Sequence, residues 1–267
     1  MKFITKSQFD FFWENGYLIV KDLVPREEWQ DLLEDLRNFH DKNWASIMNP
    51  DRPEFLISQA INHFPKEGKI KEQTEWILYA HDVAKRVRKL MKNKSIVLVL
   101  EDLYGEEVSA LMSHILWKEP GTPYADQWWH PHQDNSYAKN PEGKYFTTNL
   151  FFHDADPSNG MLNIYPGTHK YGMLPYDPNI SYHEDPGATP GNNTVFPDDY
   201  DHASKKTDLY VESGDFLIMH GDCVHGSYPN TSDRSRNLLS ASYVTKGAFF
   251  EPGISAQRKE ISLRGNE

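Results

Sequence analysis

WWHPHQDN, residues 128–135, sets His130, His132 and Asp134 at alternate positions. A β-strand projects residues i, i+2 and i+4 to one face. An extended reading therefore turns two imidazoles and a carboxylate the same way. By the same alternation one tryptophan points in and one out, and Trp128 shares the parity of the three polar residues. The surrounding chain supports extension. From about residue 108, short apolar or alternating runs recur between Gly, Pro, Asn and Asp: 109–117, 127–134, 145–153, 161–165, 208–211, 215–220 and 238–244. Short strands separated by turn signals predict a sandwich or barrel.

Upstream, the apolar period is helical. Ser7 is placed to cap a helix carrying Phe9, Phe12 and Trp13 on one face, and Gly16 to end it. Residues 17–20, YLIV, read as a short buried strand. Pro25 opens a second helix with Trp29, Leu32, Leu33, Leu36 and Phe39 inward. Residues 70–104 read as helical, with Trp76, Ile77, Ala80, Val83 and Ala84 as an inner stripe. The basic run at 85–94 is then a solvated face. Nothing marks a linker, so residues 1–267 are expected to form one domain: a helical part to about 105, a strand core at about 106–248 and a peripheral polar tail at 249–267. The segment 175–207, rich in Pro, Asp, Asn and Gly, is long for a loop and reads as a lid.

Composition removes several function classes. A net charge of −11 opposes phosphate backbones and anionic membranes, so neither nucleic acid nor membrane is an expected partner. No dense basic patch suggests a CoA thioester. The single cysteine, Cys223, leaves no intrachain disulfide and suits a reducing compartment. No stretch approaches the roughly 20 apolar residues of a membrane span. The expectation is a cytoplasmic protein with a small-molecule partner; oligomeric state is not legible.

Two metal chemistries fit the opening stretch. His-x-His-x-Asp resembles the first motif of the metallo-β-lactamase-like hydrolases. That motif continues with a further histidine, where this chain has Asn135, and a two-metal site wants more ligands. Alternatively, His132 and Asp134 join one distant histidine in the facial triad of a non-haem Fe(II) oxygenase. The stretch 213–244 offers His220 and His225. Arg236 follows His225 by eleven residues, and its rigid fork suits the far carboxylate of a dicarboxylic co-substrate.

HPHQD (130–134), DPSNGMLNIYPGTHKYG (156–172), GDFLIMHGDCVHGSYPN (214–230) and Arg236 occur in this order, after the opening FDFFWENGYLIVKDLVPREEWQDLLEDL (9–36). Together they resemble the phytanoyl-CoA dioxygenase (PhyH) family of Fe(II)/2-oxoglutarate-dependent oxygenases over most of residues 5–245. The resemblance implies an α+β, mainly β fold: a double-stranded β-helix, the cupin-like jelly-roll barrel, backed by N-terminal helices. It implies iron held by His132, Asp134 and His225, with Arg236 on the distal carboxylate of 2-oxoglutarate and Ser227 also contacting that co-substrate. Arg234 fits the family spacing less well. Asp134 stands where halogenase variants carry a small residue. The implied reaction uses O2, hydroxylates an unactivated C–H bond and releases succinate and CO2.

Lys118 is a further candidate for the co-substrate anion. Trp128, His130, Asn135 and Tyr137 flank the metal motif and, with Asn149 on the next strand, are candidate substrate contacts. A small polar substrate is expected. The hydrolase alternative requires His130 as a ligand, and a non-catalytic ligand-binding barrel would tolerate loss of Asp134.

Overall fold

The computed structural model describes residues 2–47, 76–121, 125–126, 128–177, 180, 193–253 and 257–264. The chain opens with α1 (Lys6–Asn15), β1 (Tyr17–Val20) and α2 (Arg26–Ile47). The cap of α1 is Thr5 rather than Ser7. The Thr5 side chain accepts from the Gln8 N–H while the Gln8 side chain accepts from the Thr5 N–H, a reciprocal capping box.

The region expected as one helix over 70–104 divides; residues 70–75 lie outside the described residues. β2 (Trp76–Leu78) is followed by α3 (Ala80–Val83), α4 (Lys85–Met91) and α5 (Lys94–Tyr104). Tyr79 adopts a left-handed φ of 53°, Ala84 is extended, and Asn93 caps α5 through the N–H groups of Ser95 and Ile96. These three local choices override the helical period. Ala80 and Ala84 of the expected stripe are buried, and α4 buries Val87, Leu90 and Met91 while Lys85, Arg86 and Lys89 face solvent.

The β half contains β3 (Val108–Lys118), β4 (Trp129–His132), a four-residue helix α6 (Asn135–Ala138), β5 (Tyr145–Phe151), β6 (Leu162–Ile164), β7 (Thr207–Asp208), β8 (Phe216–His220), β9 (His225–Ser227) and β10 (Arg236–Thr245). They form a six-stranded sheet, β1-β8-β5-β10-β3-β2, and a four-stranded sheet, β4-β9-β6-β7. The pairings are antiparallel. Ladders do not run from one sheet into the other among the described residues, so the architecture is helices with two antiparallel sheets and not the closed barrel expected.

Alternation along the large sheet divides its faces. Leu239, Ala241 and Tyr243 of β10 join Phe12, Leu32, Leu36 and Leu100 in a core beneath the helices. The opposite face supplies Leu238, Leu217, Met219 and Phe151, which meet Leu162 and Ile164 of the small sheet. Burial of these two apolar layers drives the packing.

The tail is not wholly peripheral. Among the described residues β2 pairs with Leu116, Ile115 and His114 of β3, which leaves the β3 edge toward Ala110 to another segment. Ile261 fills it, donating to and accepting from Ala110 at 2.7 and 3.1 Å. The expected lid lies partly outside the described residues (178–179 and 181–192); of the remainder, Thr194 N–H donates to the Pro131 carbonyl at 2.8 Å and so covers the edge of β4.

Candidate active site

The pairing of β4 with β9 decides which side chains enter the interior. Trp129 opposes Ser227 and His132 opposes His225, with an irregularity between them. Three steps on one strand therefore match two on the other, which is a bulge. Gly226 sits inside it: a Cβ there would lie 2.5 Å from the Trp129 carbonyl oxygen. The extra residue inverts parity, so Trp129 and His132 both face a cavity of about 120 Å³ between the sheets. Asp134 follows the strand, at the start of α6.

His132, Asp134 and His225 converge with one ligand atom each, all within 4.8 Å of one another. Each histidine Nε2 lies 3.8 Å from a different Asp134 oxygen. His132 Nδ1 lies 2.7 Å from the His130 carbonyl, and His225 Nδ1 lies 3.2 Å from the Cys223 carbonyl. A carbonyl only accepts, so each Nδ1 carries the proton and each Nε2 keeps its lone pair for a metal. Thr147 Oγ1 donates to Asp134 Oδ2 at 2.7 Å. Burial, then the neighbouring His225, pushes His132 down to about 4. Burial raises the Asp134 carboxyl, but His225, His132 and Thr147 together outweigh it and hold the group below its ordinary value. His132 is thus a neutral imidazole at neutral pH and Asp134 a carboxylate, and with the His225 Nε2 beside them they form the donor set of a facial Fe(II) triad.

Arg236 lies in the same cavity, 2% exposed, its Nε donating to the Gly160 carbonyl at 2.8 Å. Gly160 has a φ of 90°, and a Cβ there would meet Lys118 Cδ at 2.6 Å. Ser227, Tyr137 and Asn149 line the cavity too. Arg234 is elsewhere, paired with Asp156 at 2.6 Å.

The other candidate residues fall outside the lining. Trp128 packs on Tyr228 with ring centres 5.1 Å apart, while Trp129 takes the inner position; the bulge is the reason for the exchange. His130 is buried but not grouped with the metal-competent side chains. Asn135 Nδ2 is spent on the Asn140 carbonyl and the Asp222 carboxylate. Lys118 is opposite Arg236 on β3, but its amine donates to the Tyr228 carbonyl. Burial, then the Arg236 guanidinium, pushes that amine well below its ordinary range. Cys223 is fully buried and burial pushes its thiol up to about 12, which suits packing and not nucleophilic work.

Sequence reasoning missed Thr147, Tyr145 and Arg258, which all line the cavity. Thr147 and Tyr145 share the parity of Asn149 on β5, a signal that was available. Arg258, in the supposedly peripheral tail, carried none.

A two-histidine, one-carboxylate face in a cavity that also buries an arginine has the donor set of the non-haem Fe(II) oxygenases. The family model for phytanoyl-CoA dioxygenase (PhyH) matches residues 12–238. The chain belongs to that family. It is 25% identical to phytanoyl-CoA dioxygenase 1 of Oryza sativa subsp. japonica, over 96% of this chain and 95% of that one. Among solved structures it resembles EctD from S. alaskensis with 2-oxoglutarate and 5-hydroxyectoine (TM-score 0.68, 16% identity, 97% of this chain and 86% of that one). It also resembles the epimerase SnoN in complex with Fe3+, alpha ketoglutarate and nogalamycin RO (TM-score 0.66, 18% identity, 98% and 96%). No helix among the described residues is long and apolar enough to cross a membrane.

Proposed function

We propose that this protein hydroxylates an unactivated C–H bond of a small molecule, consuming 2-oxoglutarate and O2 and releasing succinate and CO2. The observation that carries the reading is the convergence of His132, Asp134 and His225 within 4.8 Å in the cavity that also buries Arg236. In the finer reading of the fold, the two sheets are the halves of a double-stranded β-helix, supported by the alternation of β3, β5, β8 and β10 with β4, β6 and β9 between sheets.

Iron bound with 2-oxoglutarate and O2 supplies the oxidising power for C–H cleavage. The protein's residues supply placement. His132 and His225 offer Nε2 atoms whose direction is fixed by Nδ1 contacts to backbone carbonyls. Thr147 fixes the Asp134 carboxylate. Arg236 holds the distal carboxylate of the co-substrate, with Ser227 beside it on the small sheet. Trp129, Tyr137 and Asn149 shape the space left for substrate and keep water from it.

The two-metal hydrolase reading lacks support: His130 stands apart, and the triad is the one metal-competent group among the described residues. The test is anaerobic. Fe(II) and 2-oxoglutarate added to metal-free protein should give a visible metal-to-ligand charge-transfer band. Asp134→Ala should abolish it, Arg236→Ala should weaken it through co-substrate affinity, and His130→Ala should leave it. Absence of the band in folded, iron-loaded wild type would overturn the proposal.

A further inference from the structure

Arg258 is 9% exposed and reaches the cavity from the tail. One guanidinium nitrogen donates to the Tyr137 carbonyl at a long 3.3 Å, and the group lies 5.9 Å from the centre of the Tyr145 ring. Its Nε is buried with no acceptor among the described residues. No described carboxylate pairs with it. The acidic residues nearest in sequence are engaged elsewhere: Glu251 with Lys139 at 3.1 Å, and Glu260 with the Ser109 hydroxyl at 2.7 Å. A buried cation without a counter-charge is costly, and an anionic ligand removes the cost.

The position of Arg258 separates it from the co-substrate. The cavity face of β10 runs Arg236, Leu238, Ser240, Ser242. Arg236 and Ser242 are six residues apart, roughly 20 Å along an extended strand. Across from Ser242 stands Thr147, which bonds Asp134; the next inward residue of β5 is Tyr145, beside Arg258. The metal-binding carboxylate therefore lies between two buried arginines at opposite ends of one cavity. Arg236 is committed to the co-substrate in the function proposed above, on which this inference rests.

We infer that Arg258 is a substrate-binding residue, and that the substrate is a small molecule carrying an oxyanion, carboxylate or phospho group, on the side of the triad away from Arg236. Met112, Tyr137 and Tyr145 enclose an apolar or ring-bearing body next to that anion. The guanidinium fixes one end of the substrate and so sets which carbon faces the metal.

The test uses protein loaded with Zn(II) and 2-oxoglutarate, so that binding is read without turnover. Fragment carboxylates (3-phenylpropanoate and smaller homologues) and phenylphosphonate are compared by ligand-observed NMR with their neutral amides and esters. Wild type should bind members of the anionic set and discriminate against neutral counterparts by about 10-fold or more. Arg258→Gln should lose that discrimination, and Arg258→Lys should keep part of it. 2-Oxoglutarate affinity should change less than about twofold in both variants, against about 10- to 100-fold in Arg236→Gln. The ratio of carboxylate to phosphonate binding identifies which oxyanion the site takes. No anionic preference in wild type, an undiminished preference in folded Arg258→Gln, or a parallel loss of 2-oxoglutarate would each overturn the inference. A missing charge-transfer band in wild type would instead fail the oxygenase reading, so the two failures are distinguishable.

Discussion

Thr147→Val removes one hydroxyl from the site and almost no volume. The residue is 3% exposed on β5, where valine is an equally good strand former. Its Oγ1 donates to Asp134 Oδ2 at 2.7 Å, and that oxygen lies 3.8 Å from His225 Nε2. A hydrogen bond to a charged acceptor is worth about 1.5–3 kcal/mol. Part of that exists before metal binds, so only the orientational share reaches the affinity. Groups that orient metal ligands typically carry about 10- to 100-fold in affinity, and the low end is expected here, about 10-fold weaker Fe(II). Thr148→Val is the control: its hydroxyl donates to the Ala241 carbonyl at 3.2 Å on the other face of the strand. It should lower stability by about 1 kcal/mol and leave Fe(II) affinity unchanged. Anaerobic titration of Fe(II) against a competing chelator gives the constants, with urea denaturation alongside. Equal Fe(II) affinity in Thr147→Val and wild type would refute the view that this hydroxyl orients Asp134.

Gly226→Ala should abolish metal binding in protein that still folds its large sheet, because the added Cβ, 2.5 Å from the Trp129 carbonyl, must part β4 from β9; Fe(II) affinity near wild type would contradict the account of the bulge. Arg236→Lys should weaken 2-oxoglutarate by about 10-fold, since an ammonium cannot reproduce the two-pronged contact; this is read from the charge-transfer titration. Burial, then His169, pushes His220 down to about 3 in the folded protein, below its unfolded value of about 6.5. Between those values the unfolded state binds the extra proton, so the contribution is intact above about pH 6.5 and is lost as pH falls toward 3, by up to about 1.4 kcal/mol per unit. The dependence of unfolding free energy on pH from 7 to 4 should be shallower in His220→Phe; an equal slope would show that His220 is not the group titrating.

The sequence by itself determined the broad outline. Most strand segments were legible because their apolar runs are bounded by turn residues, although 208–211 meets β7 only at Asp208 and the short β9 that carries His225 fell in none of them. The metal-competent residues were legible because ligand chemistry is carried by residue type, order and spacing, which folding does not change. His132, Asp134 and His225 converge, and Arg236 lines the same cavity. What the tertiary structure decided is which neighbours face inward. Alternation from WWHPHQDN placed Trp128 and His130 with the ligands, but facing is set by hydrogen-bonded register with a strand nearly 100 residues away, and the bulge against Gly226 inverts it. The same holds for Arg258. Nothing local distinguishes it from an ordinary tail residue; it is buried because short β2 leaves backbone groups of β3 unpaired, and the tail docks there to satisfy them. Residue chemistry is local, whereas parity and burial depend on contacts that exist only once distant segments meet.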